Sequence, residues 1–165
     1  IAYHLRWRSI VDYTGPKLFE PINVANLLAE SQNAKTRFRP QTGYFRGTYQ
    51  SGALFAQGRL NHGLPDGDWT IYHENGEVWQ EISFQDGCKS GQWTVNHDTG
   101  KPWIRGHYTA DLRTSTWTYY WISGVPMAEG KFHGNERDGL WTYWDENGDE
   151  LCRIRYMADF EVPGS

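Results

Sequence analysis

The chain has 165 residues, 38% hydrophobic and 22% charged, with a net charge of −4 and a mean hydropathy of −0.73. No run of 18 apolar residues occurs, so no spanning helix is predicted, and the acidic balance argues against nucleic acid as a partner. Aromatic residues reach 16%, with nine Trp and ten Tyr, which is not the composition of a disordered chain.

Residues 1–42 carry no repeat and are read as an N-terminal arm. Trp7, Ile10, Val11 and Tyr13 suit a strand or extended segment, and Gly15-Pro16 marks a turn. Between Pro21 and Gln32, the apolar residues Ile22, Val24, Ala25, Leu27, Leu28 and Ala29 predict a short helix, capped by Asn23. The arm has six basic and three acidic residues, a balance of +3, and the remainder has ten and 17, a balance of −7. Two roles fit: folding back on an acidic sheet, or docking to another subunit. The chain starts at Ile1, which suits a processed product or a fragment.

From residue 43 to 160 the chain repeats with a period of 24. Trp69, Trp93, Trp117 and Trp141 define the register, and Phe45 takes the first place. Two residues before each stand Gly43, Gly67, Gly91, Ser115 and Gly139. Seven after stand Gly52, Gly76, Gly100, Gly124 and Gly148. Ten after stand Phe55, Trp79, Trp103, Met127 and Leu151, and fifteen after stand Leu60, Phe84, Tyr108, Phe132 and Tyr156. Residues 161–165 form a short tail.

Each unit reads as a β-hairpin. Trp69, Ile71 and His73 alternate with Thr70 and Tyr72, the period of a strand. Asn75-Gly76 and Asn147-Gly148 then predict tight type I′ turns. The return strand runs Val78 to Phe84, and a seven-residue connection containing Asp86-Gly87 and Ser90-Gly91 leads onward. The period is too short for a helix plus two strands. The prediction is an all-β fold, an elongated antiparallel meander of about five hairpins and ten strands. Gly58, Gly106 and Gly130 share one position inside the return strand, where a glycine marks close approach by something bulky. The predicted occupant is the Trp of a neighbouring hairpin, which makes the Trp column core.

Residues with catalytic or ligand potential are sparse. Cys88 and Cys152 are predicted to lie about 25 Å apart along the sheet, beyond disulfide reach. His73 and His97 share a repeat position at roughly 10 Å, too far to ligate one zinc ion. Carboxylate pairs such as Asp66/Asp68, Glu74/Glu77, Asp145/Glu146 and Asp149/Glu150 sit beside predicted turns and read as solvated charge. Gln57, Glu81, Arg105, Glu129 and Arg153 form a column of alternating sign, a solvated face or a register-setting surface for a partner. Tyr72, Tyr120 and Trp144 point away from the Trp column. A sheet that is aromatic on both faces leaves some rings for an interface.

The string Gly67-x-Trp69-x-x-Tyr72-x-x-Asn75-Gly76, continuing to Glu81-x-x-Phe84-x-x-Gly87, resembles the MORN repeat. It is most similar to the bacterial-type variant of YwqK-family antitoxins. The resemblance covers about 70% of the chain. Asn96, Ser115 and Phe45 depart from the pattern. The resemblance implies a single-layer β-meander, with binding or scaffolding in place of catalysis, and no cofactor or metal.

The expected function is a non-catalytic scaffold or accessory subunit of a protein complex. Its expected partner contacts are Trp7, Tyr72, Tyr120, Trp121 and Trp144. An antitoxin that neutralises a toxin is the alternative implied by the resemblance, and a carbohydrate- or lipid-binding sheet is another. The balance of −7 in the repeats argues against anionic membranes. No small-molecule substrate is evident. Two unpaired thiols favour an intracellular compartment, with a mitochondrial complex as one setting.

Overall fold

The computed structural model describes residues 42–162. The expected arm, with its helix and Trp7, lies outside the described residues. Eleven strands form one antiparallel sheet in which every strand pairs with its neighbours in sequence. They are β1 (Gly43–Thr48), β2 (Leu54–Asn61), β3 (Leu64–Tyr72), β4 (Val78–Gln85), β5 (Cys88–Asn96) and β6 (Pro102–Thr109). There follow β7 (Leu112–Tyr120), β8 (Pro126–His133), β9 (Glu136–Trp144), β10 (Glu150–Met157) and the two-residue β11 (Phe160–Glu161). The described residues contain no helix. The predicted all-β meander is therefore the fold, one strand longer than expected.

The turn types are exchanged relative to the expectation. At Asn75-Gly76 the His73 N–H donates to the Glu77 carbonyl at 2.8 Å, and the Gly76 N–H to the His73 carbonyl at 2.9 Å. Only Gly76 has positive φ, at 91°. This is a three-residue loop closed by a glycine bulge rather than a type I′ turn. The same bonds recur at Gly52, Gly100, Gly124 and Gly148. The type I′ geometry lies at the other end of the sheet. Asp86 and Gly87 both have positive φ, at 51° and 84°, and so do Ala110 and Asp111, at 48° and 66°. These two-residue turns replace the expected seven-residue connections, because β5 already begins at Cys88. The residues after the turn belong to the strand, so hairpins and connections merge into one continuous sheet.

One face of the sheet holds the core. Trp69, Trp93, Trp117 and Trp141 are each no more than 2% exposed. Three of them lie flat across a glycine of the preceding strand. A Cβ on Gly58, Gly106 or Gly130 would stand 2.2 Å from the indole of Trp69, Trp117 or Trp141. The predicted occupant is thus the one observed. Trp69 and Trp141 also donate their indole N–H to the carbonyls of Arg59 and Lys131, at 3.0 and 3.1 Å. Trp93 differs because Ile82 takes the glycine place opposite it. Its indole N–H turns instead to the buried Gln80 side chain at 3.3 Å. Burying an aromatic ring contributes on the order of 2–3 kcal/mol, so this column is the main apolar reservoir of the fold.

The type I′ turns stitch to one another. The Asp111 N–H donates to the Lys89 carbonyl while its carboxylate accepts from the Lys89 N–H at 2.9 Å. Asn135 does the same with Arg113, and Asp159 with Arg137. Asp and Asn tolerate positive φ and supply the side-chain acceptor together. The cations of these residues also cap aromatic rings. Lys89 lies over Tyr108 at 4.7 Å, Arg113 over Phe132 at 4.1 Å, and Arg137 over Tyr156 at 4.1 Å.

Two substitutions test this logic. Ala is ordinarily better than Gly in a strand, so Gly106→Ala isolates the indole contact. It is expected to destabilise the chain by about 1–3 kcal/mol through overpacking, read by urea denaturation. Ser115 holds φ at 61° where its repeat equivalents are glycines. Ser115→Gly is expected to raise stability by about 1 kcal/mol by removing that strain.

Candidate interaction surface

The face opposite the indoles is built from the strand residues of opposite parity. One row crosses it without interruption. Cross-strand pairing links Arg46, Gln57, Thr70, Glu81 and Thr94 in turn. It continues through Arg105, Thr118, Glu129, Thr142 and Arg153. The strands between the charged column are therefore filled by threonines. Glu81, Arg105, Glu129 and Arg153 are exposed and the threonines half-buried. Within the row, the Thr118 hydroxyl donates to the Glu129 carboxylate at 2.9 Å. Arg153 reaches Glu150, three residues back at the start of the same strand, at 2.6 Å. Around Thr70, Glu81 and Thr94 of the row, Asp68, Ser83 and Gln92 complete the lining of a depression that also takes in Trp69 and Ile82.

Along one margin of this face lie Tyr72, Asn96, Tyr120 and Trp144, all half-buried. Tyr72 accepts a hydrogen bond from the Gln57 amide at 2.8 Å. The Arg105 guanidinium sits 5.8 Å from the Tyr120 ring centre. Tyr72 is on β3, Tyr120 on β7 and Trp144 on β9. Tyr120 and Trp144 are therefore about 10 Å apart along the sheet, and Tyr72 and Tyr120 about 19 Å. The fold brings Tyr120 and Trp144 into one patch and leaves Tyr72 separate.

Trp121 has a second task. Its indole N–H donates to the Trp144 carbonyl in the next repeat, at 3.1 Å. The equivalent side chains do the same: Tyr49 donates to the Tyr72 carbonyl at 2.7 Å, and His73 Nε2 bonds the Asn96 carbonyl at 3.1 Å. That bond requires the tautomer with a proton on Nε2. His97 breaks the series. Its ring stacks on Trp103 at 5.1 Å, as His73 does on Trp79 at 5.3 Å. Yet His97 Nε2 is buried with no hydrogen-bond partner. Burial holds this imidazole below its ordinary pKa, against the opposing pull of Asp98.

Among the described residues, no group of three or more His, Cys, Asp or Glu is placed to hold a metal. Cys88 and Cys152 are both free thiols. Burial of Asp159 pushes its carboxyl pKa up, but hydrogen bonds from Arg137 outweigh it and hold the group below the usual range. Sequence reasoning missed the cation column Lys89, Arg113 and Arg137 and its partners Asp111, Asn135 and Asp159. Their spacing of 24 was the available signal.

The family description that matches the chain is the MORN repeat variant, over residues 65–86. That span holds β3, its glycine-bulge loop and β4, and the same register recurs in the other repeats. A search of curated proteins found no match for the chain.

Residues 97 and 121 share one repeat position and give opposite expectations. Trp121→Phe removes a donor and leaves the Trp144 carbonyl short of a partner, at a cost of about 1 kcal/mol. His97→Phe removes an unpaired buried nitrogen and keeps the stacking, so stability is expected to hold or rise. Thermal melts of both variants against the parent check the pair.

Proposed function

For this MORN-repeat protein we propose the role of a non-catalytic protein-binding scaffold, an accessory subunit that engages partners through the open face of its sheet. The family is not an enzyme family, and its repeats are associated with protein and membrane interactions. One observation carries the reading. The indole face is filled by the chain's own side chains, while the opposite face keeps a long ordered row of exposed charge beside half-exposed Tyr120 and Trp144. Aromatic rings beside a polar field are the composition of protein interfaces.

Protein is favoured over anionic membrane on charge. Residues 43–165 hold ten basic and 17 acidic side chains, a balance of −7. The row carries three Arg and two Glu, alternating one by one and never clustered, whereas binding to anionic lipid requires clustered Lys and Arg.

The test uses the native mass of the endogenous protein, with cross-linking mass spectrometry of its assembly. Tyr120→Ser with Trp144→Ser is expected to release the chain from that assembly while its circular dichroism and melting temperature stay near those of the parent. Retained assembly in a folded double variant would show that this margin is not the binding surface.

A further inference from the structure

We infer that the open face takes a second copy of this chain, packed face to face; this rests on the reading of that face as a protein-binding surface. The charged row supplies the argument. From β4 to β10 its charged members read Glu81, Arg105, Glu129 and Arg153, with a threonine on each intervening strand. The signs alternate and sum to zero. Such a row is complementary to its own reverse, which is the requirement of an isologous dimer.

The sign pattern selects the symmetry. Consider a twofold axis parallel to the strands and passing over Thr118 on β7. Strand order then runs in opposite directions in the two copies. Arg105 on β6 faces Glu129 on β8 of the second copy, and Glu81 on β4 faces Arg153 on β10. Thr94 faces Thr142, and Thr118 faces its own equivalent. All four charges meet opposite charges, and each contact occurs twice. An axis along the row would set Glu81 on Glu81 and Arg105 on Arg105, which like-charge repulsion disfavours. An axis over Thr94 pairs Glu81 with Arg105 but sets Glu129 on the neutral Gln57. An axis over Thr142 pairs Glu129 with Arg153 and leaves Arg105 and Glu81 beyond the end of the other sheet. The arrangement over Thr118 is the one that pairs all four charges from β4 to β10; Arg46 on β1 falls beyond the end of the other sheet.

Side-chain lengths fit as well. Facing sheets pack about 10 Å apart, a gap that an Arg and a Glu bridge together. Threonines on the intervening strands are short enough not to hold the sheets apart. The paired segment from β4 to β10 spans six strand spacings, about 29 Å.

The experiment is sedimentation velocity on the full 165-residue chain, across concentration and salt. The parent is expected to dimerise, more weakly at high salt because the contacts are ionic. Glu129→Arg sets Arg against Arg105 at two symmetric contacts and is expected to weaken the dimer by more than about tenfold. Adding Arg105→Glu restores opposite signs and is expected to restore dimerisation. The outer pair gives an independent copy of the test: Glu81→Arg weakens the dimer, and Glu81→Arg with Arg153→Glu recovers it. Either of two results would overturn the inference. One is a parent that stays monomeric up to about 100 μM, well above the range of specific dimers. The other is a dimer that ignores the single reversals or is not rescued by the double ones. Neither touches the protein-binding reading itself, which the Tyr120 and Trp144 variants decide separately.

Discussion

The seat of Trp69, Trp117 and Trp141 on a glycine of the preceding strand is the contact on which the sheet depends. An indole that lies flat over a backbone needs a strand position without a Cβ, and the 2.2 Å approach at Gly58, Gly106 and Gly130 leaves no room for one. The contact crosses from one hairpin to the next, so it joins repeats rather than completing them. A lone hairpin cannot bury its own Trp; the preceding unit supplies the socket. The period of 24, the single layer and the one-sided core all follow from that requirement. The opposite face is released from packing duty, so its threonines and charges are free to form a regular row.

The hydrogen bonds at the two sheet ends use the same interlocking at smaller scale. At the glycine-bulge end, Tyr49, His73 and Trp121 each clasp the next repeat by its backbone. At the type I′ end, Asp111, Asn135 and Asp159 bind back to the preceding turn. These bonds are individually modest, about 1 kcal/mol each. They set the alignment of neighbouring strands, while the indoles provide most of the apolar burial.

Much of this was legible in the amino-acid sequence, because a fixed period converts single residues into columns. The Trp column, its burial and its glycine sockets could be read directly, as could the strand alternation that sends Glu81 and Arg105 to one face. The turns were not legible, for a physical reason. Asn-Gly favours positive φ at two residues, but the structure uses it with positive φ at Gly76 alone. Register and strand length decide between a two- and a three-residue loop, and both are tertiary properties. Ala110-Asp111 carries little turn signal, yet it adopts positive φ at both residues, with the Asp111 carboxylate bound across to Lys89. The candidate surface was legible in part. Tyr120 and Trp144 do share a margin, whereas the clasp made by Trp121 depends on where its N–H points, which no spacing reveals.

Ile82 in a glycine socket has a consequence for how the molecule comes apart. Phe45 and Trp69 stack at 5.6 Å, and Trp93, Tyr108, Trp117, Phe132, Trp141 and Tyr156 touch in an unbroken series. Between Trp69 and Trp93 the indole seat is missing, and the long Gln80 bond stands in its place. The turn there ends in Gly87, which has no side chain to bind back. In a linear array, cooperativity breaks at the weakest interface. Ile82 keeps the apolar core continuous across this join, but of the joins between hairpins it is the one without an indole seated on a glycine, so an opening within the sheet is expected to begin there.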